Sequence, residues 1–237
     1  PDLRLTWKVS PDHLLWAGVT RTVRSPSRID RDVVVPGAPP YVLVNNDAFI
    51  SERADVAQLG YRARIAPQAT VSLTAFHHEF RDLRTLGPDN GAFVIANGAN
   101  GRVSGIEGWG EWRVMSDWRL VGGFTLMRTH TSLEPGQVNL TDPPLGNNPD
   151  RTAELRSSWN ITDRHELDLG WRYVGPLSNP AVPRYSVLDA RLGWRMSPAL
   201  DVSLVVNNVF DKEHVEFVAS AIEQIGRTWL VKVTWVP

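Results

Sequence analysis

The chain has 237 residues, a formal net charge of −1 and no cysteine. The lack of cysteine excludes disulfide bridges and thiolate metal sites, and the near-zero net charge gives no indication of a nucleic-acid partner. No apolar run approaches the roughly 20 residues of a membrane helix, so any membrane span must consist of strands. The start at Pro1, without Met and without a signal peptide, suggests a fragment.

Alternating apolar and polar residues predict hairpins in the first half of the chain. Strands are expected over residues 3–9 and 13–23, joined by a turn at Pro11, and over residues 57–65 and 71–86, joined by a turn at Pro67. Residues 24–50 and 87–101 are rich in Pro, Gly and Asn, so both segments are predicted to be long loops.

The second half of the chain repeats this arrangement. Strands are predicted over residues 106–114, 118–126, 153–161, 167–173, 188–196, 200–206 and 229–235. Very short turns at Ser116, Asp163 and Pro198 alternate with longer loops over residues 132–149, 175–183 and 211–225.

The length and order of these segments indicate the fold class. Strands of soluble proteins are mostly five or six residues long, whereas a tilted transmembrane strand needs roughly nine to eleven. About eleven strands are predicted, with short turns at one end and long loops at the other, which is typical of outer-membrane barrels. We therefore expect an all-β fold, a portion of an antiparallel transmembrane β-barrel, and the alternative is a soluble sandwich.

Tryptophans provide an independent indication, because indole rings favour the membrane–water interface. Most of the ten lie within a few residues of a predicted short turn or of the C-terminus, and we expect these to form one girdle: Trp7, Trp16, Trp112, Trp118, Trp159, Trp194 and Trp235. In the sandwich alternative they would be ordinary core aromatics.

Several short motifs together resemble the C-terminal half of the barrel of TonB-dependent outer-membrane receptors. They are YSVLDAR at residues 185–191, LVVNNVFDK at 204–212, Gly226-Arg227, RSPS at 24–27, QLGY at 58–61 and GIE at 105–107. The motifs occur in the family's order along nearly the whole chain. One departure is that Trp235 is followed by Val236 and Pro237, whereas family members usually end on an aromatic residue.

The resemblance implies that residues 1–237 are the later part of a barrel of roughly 22 strands. It implies an outer-membrane receptor, not an enzyme, that imports a scarce nutrient by TonB-coupled active transport, most commonly a ferric siderophore-type chelate. The expected partners are outer-membrane lipid, a plug domain and the TonB system, and the chain contains no recognisable plug. No resident cofactor is expected.

Two sets of charged residues follow from this barrel. The polar parity of the strands should face the barrel interior, because only water or a plug accepts charge there; the expected lumen residues are Arg113, Glu154, Arg156, Asp168, Arg172, Asp189, Arg191 and Arg195. A basic mouth for an anionic ligand is predicted from Arg24, Arg28, Arg31, Arg81, Arg84, Arg128, His130 and Arg184, diluted by Asp30, Asp32, Asp47 and Asp82. Mutual charge pairing and plain solvation are the alternatives for each set.

Two other functions stay open at this point, a passive pore and a hydrolase. A passive pore would share the alternation and the girdle. A hydrolase would need a catalytic constellation, for which Ser104 or Ser158 with His77, His78, His130 or His165 are the candidates. A metal site at His77-His78-Glu79 is disfavoured, because adjacent strand residues point to opposite faces.

Overall fold

One long antiparallel sheet dominates the computed structural model, which describes residues 1–37, 41–141, 143–210, 213–216 and 224–236. Its eleven main strands pair in chain order, each with the next. They are β1 (Asp2–Ser10), β2 (His13–Arg24), β3 (Glu52–Ala66), β4 (Ala69–Asp89), β5 (Ala92–Met115), β6 (Trp118–Leu133), β7 (Arg151–Thr162), β8 (His165–Val174), β9 (Tyr185–Ser197), β10 (Leu200–Asn207) and β11 (Thr228–Trp235). The fold class expected from the alternation is confirmed.

The strand register separates an apolar face from a polar face. Residues that pair directly across an antiparallel ladder project to the same side, and Leu204 of β10 pairs with Leu192 of β9 and Val231 of β11. Polar residues occupy the alternate positions, as where Ser203 pairs with Lys232. Among the described residues no second sheet covers the apolar side, where Val231 is 63% exposed. The soluble sandwich is thereby excluded.

The five predicted short turns are confirmed, and all lie at one end of the sheet. Each is a two-residue turn between neighbouring strands, at residues 11–12, 67–68, 116–117, 163–164 and 198–199. Of the described strands, β1 and β11 each pair on one side only, so the sheet is open rather than closed into a barrel. The described helical segment is too short and polar to cross a membrane.

The prediction of a loop at residues 87–101 is wrong. Strands β4 and β5 continue through this segment and meet at a tight turn, in which Asn90 and Gly91 both have positive φ angles of 45° and 86°. An Asn-Gly pair with positive φ at both positions suits a two-residue hairpin of type I′. The hairpin therefore projects well beyond the other strands.

The segment between β2 and β3 is structured rather than a plain loop. It contains helix α1 (Arg28–Arg31) and a strand pair of Val35–Pro36 with Tyr41–Val44. Residues 43–44 also pair in parallel with residues 93–94 of β5. Two more short strand pairs lie in later connections, Leu177–Ser178 with Ala181–Val182 and Glu213–His214 with Ile225–Gly226.

Some predicted features lie outside the described residues. These are Pro39 and Pro40 of the first long loop, Asp142 of the 132–149 loop, Asp211 and Lys212 of the LVVNNVFDK motif, residues 217–223 of the last loop, and Pro237.

The largest fully buried apolar side chain is Phe49, in the segment between β2 and β3 (the first long segment), which contacts the β4–β5 hairpin. Phe49 is 1% exposed and is buried together with Leu83, Ile95 and Ala99. Asn97 fastens the two parts, because its Oδ1 accepts from Ile50 N at 2.8 Å and its Nδ2 donates to Ile50 O at 3.1 Å. We call this end of the sheet, opposite the tight turns, the mouth end.

Trp16 does not belong to the apolar girdle. It pairs with Thr6 and with Gly60, which lie on the polar face. The indole covers Gly60, where an added Cβ would meet the ring at 2.0 Å. Trp112 and Trp194 lie on the apolar face as expected, since they pair with Leu120 and Val202.

Candidate functional site

The polar face carries all eight residues predicted to line the lumen. Glu154 pairs with Arg172, and Asp168 pairs with Arg191, so these four side chains share one side of the sheet. The same alternation along the strands adds Arg113, Arg156, Asp189 and Arg195. The register thus brings these charges to one surface, while their facing a lumen remains a prediction.

Ion pairs neutralise much of this polar face. The Nη1 of Arg191 donates to Glu166 Oε2 at 2.9 Å and to Asp168 Oδ2 at 2.7 Å. Arg195 lies 3.5 Å from Asp201. These groups are part-exposed, so each pair contributes little to stability. The arrangement favours self-pairing of the wall over a free anion site at this depth.

Two predicted mouth residues, Arg24 and Arg84, converge on one buried carboxylate. Asp30 of α1 has a side chain only 1% exposed and lies 3.2 Å from both guanidinium groups. Arg24 also pairs with Glu52, whose other oxygen accepts from Arg84 N at 2.6 Å. These arginines fasten the first long segment to the sheet, so their charge is largely used within the protein.

The Ser27 N-cap explains why Asp30 can be charged and buried. Ser27 Oγ accepts from Asp30 N, and the carboxylate accepts from Ser27 N and Oγ at 2.8 Å, which forms a capping box. Burial opposes the charge of Asp30, but the Ser27 hydrogen bonds and the charges of Arg24 and Arg84 outweigh it and hold the pKa of the carboxyl below its usual range.

The other predicted mouth residues of the loops are exposed. Arg28 forms a pair with Asp32 at 3.2 Å, and Arg31 Nη2 donates to Asp47 O at 2.9 Å. Arg184 is exposed just before β9. These three guanidinium groups are the predicted mouth cations that stay accessible at the loop end.

The structure places Arg81, Arg128 and His130 apart from those cations. Arg128 pairs with Ser104, and two residues along the same strand Leu126 pairs with Ile106, so Arg128 shares the apolar parity. The parity of β4 changes after Arg81, because Asp82 has a φ of 60° and the register shifts there. Arg84 therefore turns to the polar side, whereas Arg81 does not.

A second cluster at the mouth end was missed by the sequence reasoning. Arg172 Nη2 donates to Glu216 Oε1 at 2.6 Å, and His214 Nε2 lies 2.9 Å from the same oxygen. The ring of Tyr185 stacks on His214 at 4.9 Å and lies under Arg172 at 5.6 Å. The sequence singles out two members separately, Arg172 as an expected lumen residue and Tyr185 as the start of the YSVLDAR motif, but not their contact with His214 and Glu216.

Asn208 of the LVVNNVFDK motif contacts this cluster, because its Nδ2 lies 3.2 Å from His214 Nδ1. Its φ is 57°, and its N donates to Asp189 Oδ1 at 2.8 Å. Arg227 Nε donates to the Asn208 carbonyl at 3.1 Å. Asn tolerates the left-handed conformation better than most residues, which accounts for its position where the chain leaves β10.

The hydrolase candidates are only partly brought together. His77 Nδ1 lies 2.6 Å from Ser104 Oγ, but the His77 Nε2 to Glu79 contact is 3.7 Å, too long for a hydrogen bond. Ser104 lies inside a ladder whose backbone N–H groups are used for strand pairing, so no pair of backbone N–H groups is left there to form an oxyanion hole. His165 instead contacts Thr162.

The two adjacent histidines lie on opposite faces, as expected. His77 pairs with Ser104 and Ala57, whereas His78 pairs with Val103 and Val56. Over the described part of the chain, no three His, Asp or Glu side chains come close enough to hold a metal ion.

Comparison with known proteins agrees with this geometry. The family model described as "TonB dependent receptor-like, beta-barrel" matches residues 1–209. The catecholate siderophore receptor Fiu of Escherichia coli (strain K12) is 23% identical over 180 residues, which are 72% of this chain and 23% of Fiu. The vitamin B12 transporter BtuB of Vibrio vulnificus (strain YJ016) is 24% identical over 206 residues, 78% of this chain and 30% of BtuB.

Solved structures share the fold. The closed form of the ferric-catecholate import receptor Fiu from K12 E. coli superposes with a TM-score of 0.75 at 18% identity, over 99% of this chain and 34% of that chain. The siderophore receptor PirA from Acinetobacter baumannii gives the same TM-score and identity, over 99% of this chain and 40% of that chain. The chain thus spans less than a third of the two curated relatives and less than half of either solved structure.

Proposed function

The chain belongs to the TonB-dependent receptor β-barrel family, whose members are bacterial outer-membrane receptors and transporters, and we propose that it forms the C-terminal part of a receptor that imports a ferric siderophore-type chelate. The proposed import is active and TonB-coupled, with a plug domain and the TonB system as partners. The observation that carries the proposal is the eleven-strand sheet with an apolar face, a polar face and all its tight turns at one end.

Physical arguments support the membrane position of this sheet. An exposed apolar side as large as that of β9 to β11 would be an aggregation surface in water, whereas acyl chains match it. The polar side carries ion-paired charges that only water or protein can accept. A barrel interior filled with a plug would place both water and protein against this polar side.

Two features favour an anionic iron chelate as the cargo. The relative Fiu is a catecholate siderophore receptor, although BtuB shows that relatives at this identity also carry vitamin B12. At the mouth end Arg28, Arg31 and Arg184 are exposed cations, which attract anions by long-range charge. We therefore propose that these residues, rather than Arg24 and Arg84, meet the ligand first.

Uptake by the complete receptor polypeptide tests the function. The receptor would be expressed in an E. coli strain lacking its own catecholate and cobalamin receptors. Uptake of radioactive iron from a ferric catecholate chelate, and of radioactive cobalamin in parallel, would be measured with and without a protonophore. We expect receptor-dependent uptake that the protonophore abolishes. Uptake that persists without the proton gradient would instead indicate a passive pore, and uptake of cobalamin alone would overturn the proposed cargo.

A further inference from the structure

The outward, apolar side of the sheet changes character toward the mouth end. On β5 and β6 the last apolar outward residues are Ile106 and Leu126, about ten residues from the tight turn at 116–117. The next outward residues on these two strands are Ser104, Arg128, Arg102 and His130. Because roughly nine to eleven residues cross the hydrocarbon, this change falls at the level of lipid headgroups.

The charged side chains beyond this level form one continuous patch on β4, β5 and β6. Arg102 pairs with both Glu79 and His130 across the ladder. His77 and Arg128 pair on either side of Ser104, one row nearer the apolar belt. We call this surface the outward patch and define it as His77, Glu79, Arg81, Arg102, Arg128 and His130. A shallow concavity of about 490 Å³ lies between Glu79, Arg81, Arg102 and His130.

The outward patch carries uncompensated positive charge. Its three arginines face one glutamate, and that glutamate lies 3.5 Å from Arg81 and 3.7 Å from His77. Glu79 is the register partner of Arg102, but over the described ranges no carboxylate oxygen lies within ion-pair distance (4.0 Å) of the guanidinium of Arg102 or Arg128. On the neighbouring strands, by contrast, Arg21 forms a two-point pair with Asp55.

We propose that the outward patch binds a phosphorylated lipid of the outer leaflet, with the phosphate between Arg102 and Arg128 and the acyl chains along Ile106 and Leu126. Arginine is well suited to phosphate, because its guanidinium donates two parallel hydrogen bonds. The patch faces away from the polar wall, so a soluble ligand passing through the barrel would not meet it. This inference rests on the membrane position proposed above, but not on the cargo.

Lipid binding by the complete receptor tests the inference directly. Purified receptor in detergent would be titrated with bisphosphorylated lipid A, with the same lipid after removal of its phosphates, and with inorganic phosphate. We expect saturable binding of the phosphorylated lipid, weaker by on the order of tenfold or more for the dephosphorylated lipid. Inorganic phosphate should compete weakly, because it lacks the acyl chains that contact Ile106 and Leu126.

Charge reversal identifies the binding residues. Arg102→Glu with Arg128→Glu should weaken binding of bisphosphorylated lipid A by on the order of tenfold or more, whereas Arg113→Glu with Arg156→Glu, the same charge change on the polar face, should leave it unchanged. The folded barrel is verified by its heat-dependent mobility in SDS gels. If the glutamate variant does not fold, Arg102→Gln with Arg128→Gln takes its place, with the same expected direction.

Three results would overturn the inference. They are equal binding of the dephosphorylated lipid, unchanged binding by the Arg102 and Arg128 variant, and binding of inorganic phosphate as tight as that of the lipid. If the unmodified receptor does not bind the phosphorylated lipid but takes up the chelate, the outward patch alone is refuted. Failure of chelate uptake with intact lipid binding would refute only the cargo.

Discussion

At the scale of single residues, Asp30 shows why the mouth could be predicted only in part. The sequence identifies Arg24 and Arg84 as cations near strand ends, and it counts Asp30 merely as an opposing charge. The fold of α1 brings this carboxylate between the two arginines and buries it. Alternation along a strand does not predict this contact, because Arg84 is far from Asp30 in the chain and Arg24, six residues before it, lies on β2 rather than on α1.

Replacing Asp30 should loosen the first long segment. Asp30→Asn keeps the shape but removes the charge that Arg24 and Arg84 share, so we expect local stability to fall by about 1–3 kcal/mol. Hydrogen exchange of the amides in residues 27–34 should accelerate by roughly tenfold or more. Asp32→Asn is the matched control, since its pair with Arg28 is exposed and should contribute little. Equal effects of the two variants would contradict the anchoring role.

The same contact predicts a pH dependence. The pKa of Asp30 is lowered in the folded protein, so its contribution to stability is fully present above the ordinary aspartate pKa of about 4 and is lost as the pH falls through the folded value. Protection of residues 27–34, corrected for the intrinsic exchange rate, should stay constant from about pH 7 to pH 5 and fall below about pH 4. In Asp30→Asn this acid-induced step should be absent.

Leu204 and Val205 test the two faces with a matched pair of substitutions. Leu204 lies on the apolar face near mid-strand. Leu204→Arg should therefore destabilise the membrane-folded barrel by about 2–4 kcal/mol. Val205 projects to the polar face opposite Arg191, so Val205→Arg should cost about 1 kcal/mol or less, from like-charge repulsion. Both values would come from a denaturant titration in lipid vesicles; similar costs would contradict the assigned parity.

At the scale of elements, periodicity predicts the strands inside the membrane well and the parts outside it poorly. Every predicted short turn is present, because the hydrophobic alternation and the Pro and Asp residues agree there. The prediction of a loop in place of the β4–β5 hairpin tip is wrong, because Gly and Asn are common both in long loops and in tight turns. The Asn90-Gly91 pair was the available signal for a tight turn.

The hairpin tip should depend on Gly91. Its φ of 86° is costly for a residue with a branched side chain, so Gly91→Val should destabilise the tip by about 1–2 kcal/mol. Hydrogen exchange over residues 85–96 would show faster opening. Asn90→Gly serves as the control, because glycine also accepts positive φ; faster opening in the control alone would contradict the assigned turn.

The rule that alternate residues of a strand lie on the same face no longer holds at the mouth end. Inside the membrane a strict period of two connects sequence to face, so all eight predicted lumen residues share one side. The register shift at Asp82 breaks this rule and separates Arg81 from Arg84. Bulges of this kind depend on backbone conformation at a single residue, which alternation cannot reveal.

At the scale of the whole molecule, the strand order follows the chain without a crossover, so local hairpins suffice to build the sheet. This explains why the architecture could be predicted from the sequence while the site could not. At the mouth end the β4–β5 hairpin contacts the segment between β2 and β3 through Asn97 and the segment 132–149 through Asn139, and Asn147 joins this last segment to residues 178–180. Neither the amino-acid composition nor the hydrophobic periodicity predicts those contacts.

Cysteine scanning along β10 tests the central claim that the apolar face touches lipid. These 237 residues contain no cysteine, so single substitutions from Leu200 to Asn207 can be labelled without background from this part of the receptor. We predict strict alternation of fluorescence quenching in outer membranes. Labels at positions 200, 202, 204 and 206 should be quenched by a lipid-resident quencher, and labels at positions 201, 203 and 205 should be shielded from it. Shielding of both sets from the lipid probe, or quenching without a period of two, would contradict the account.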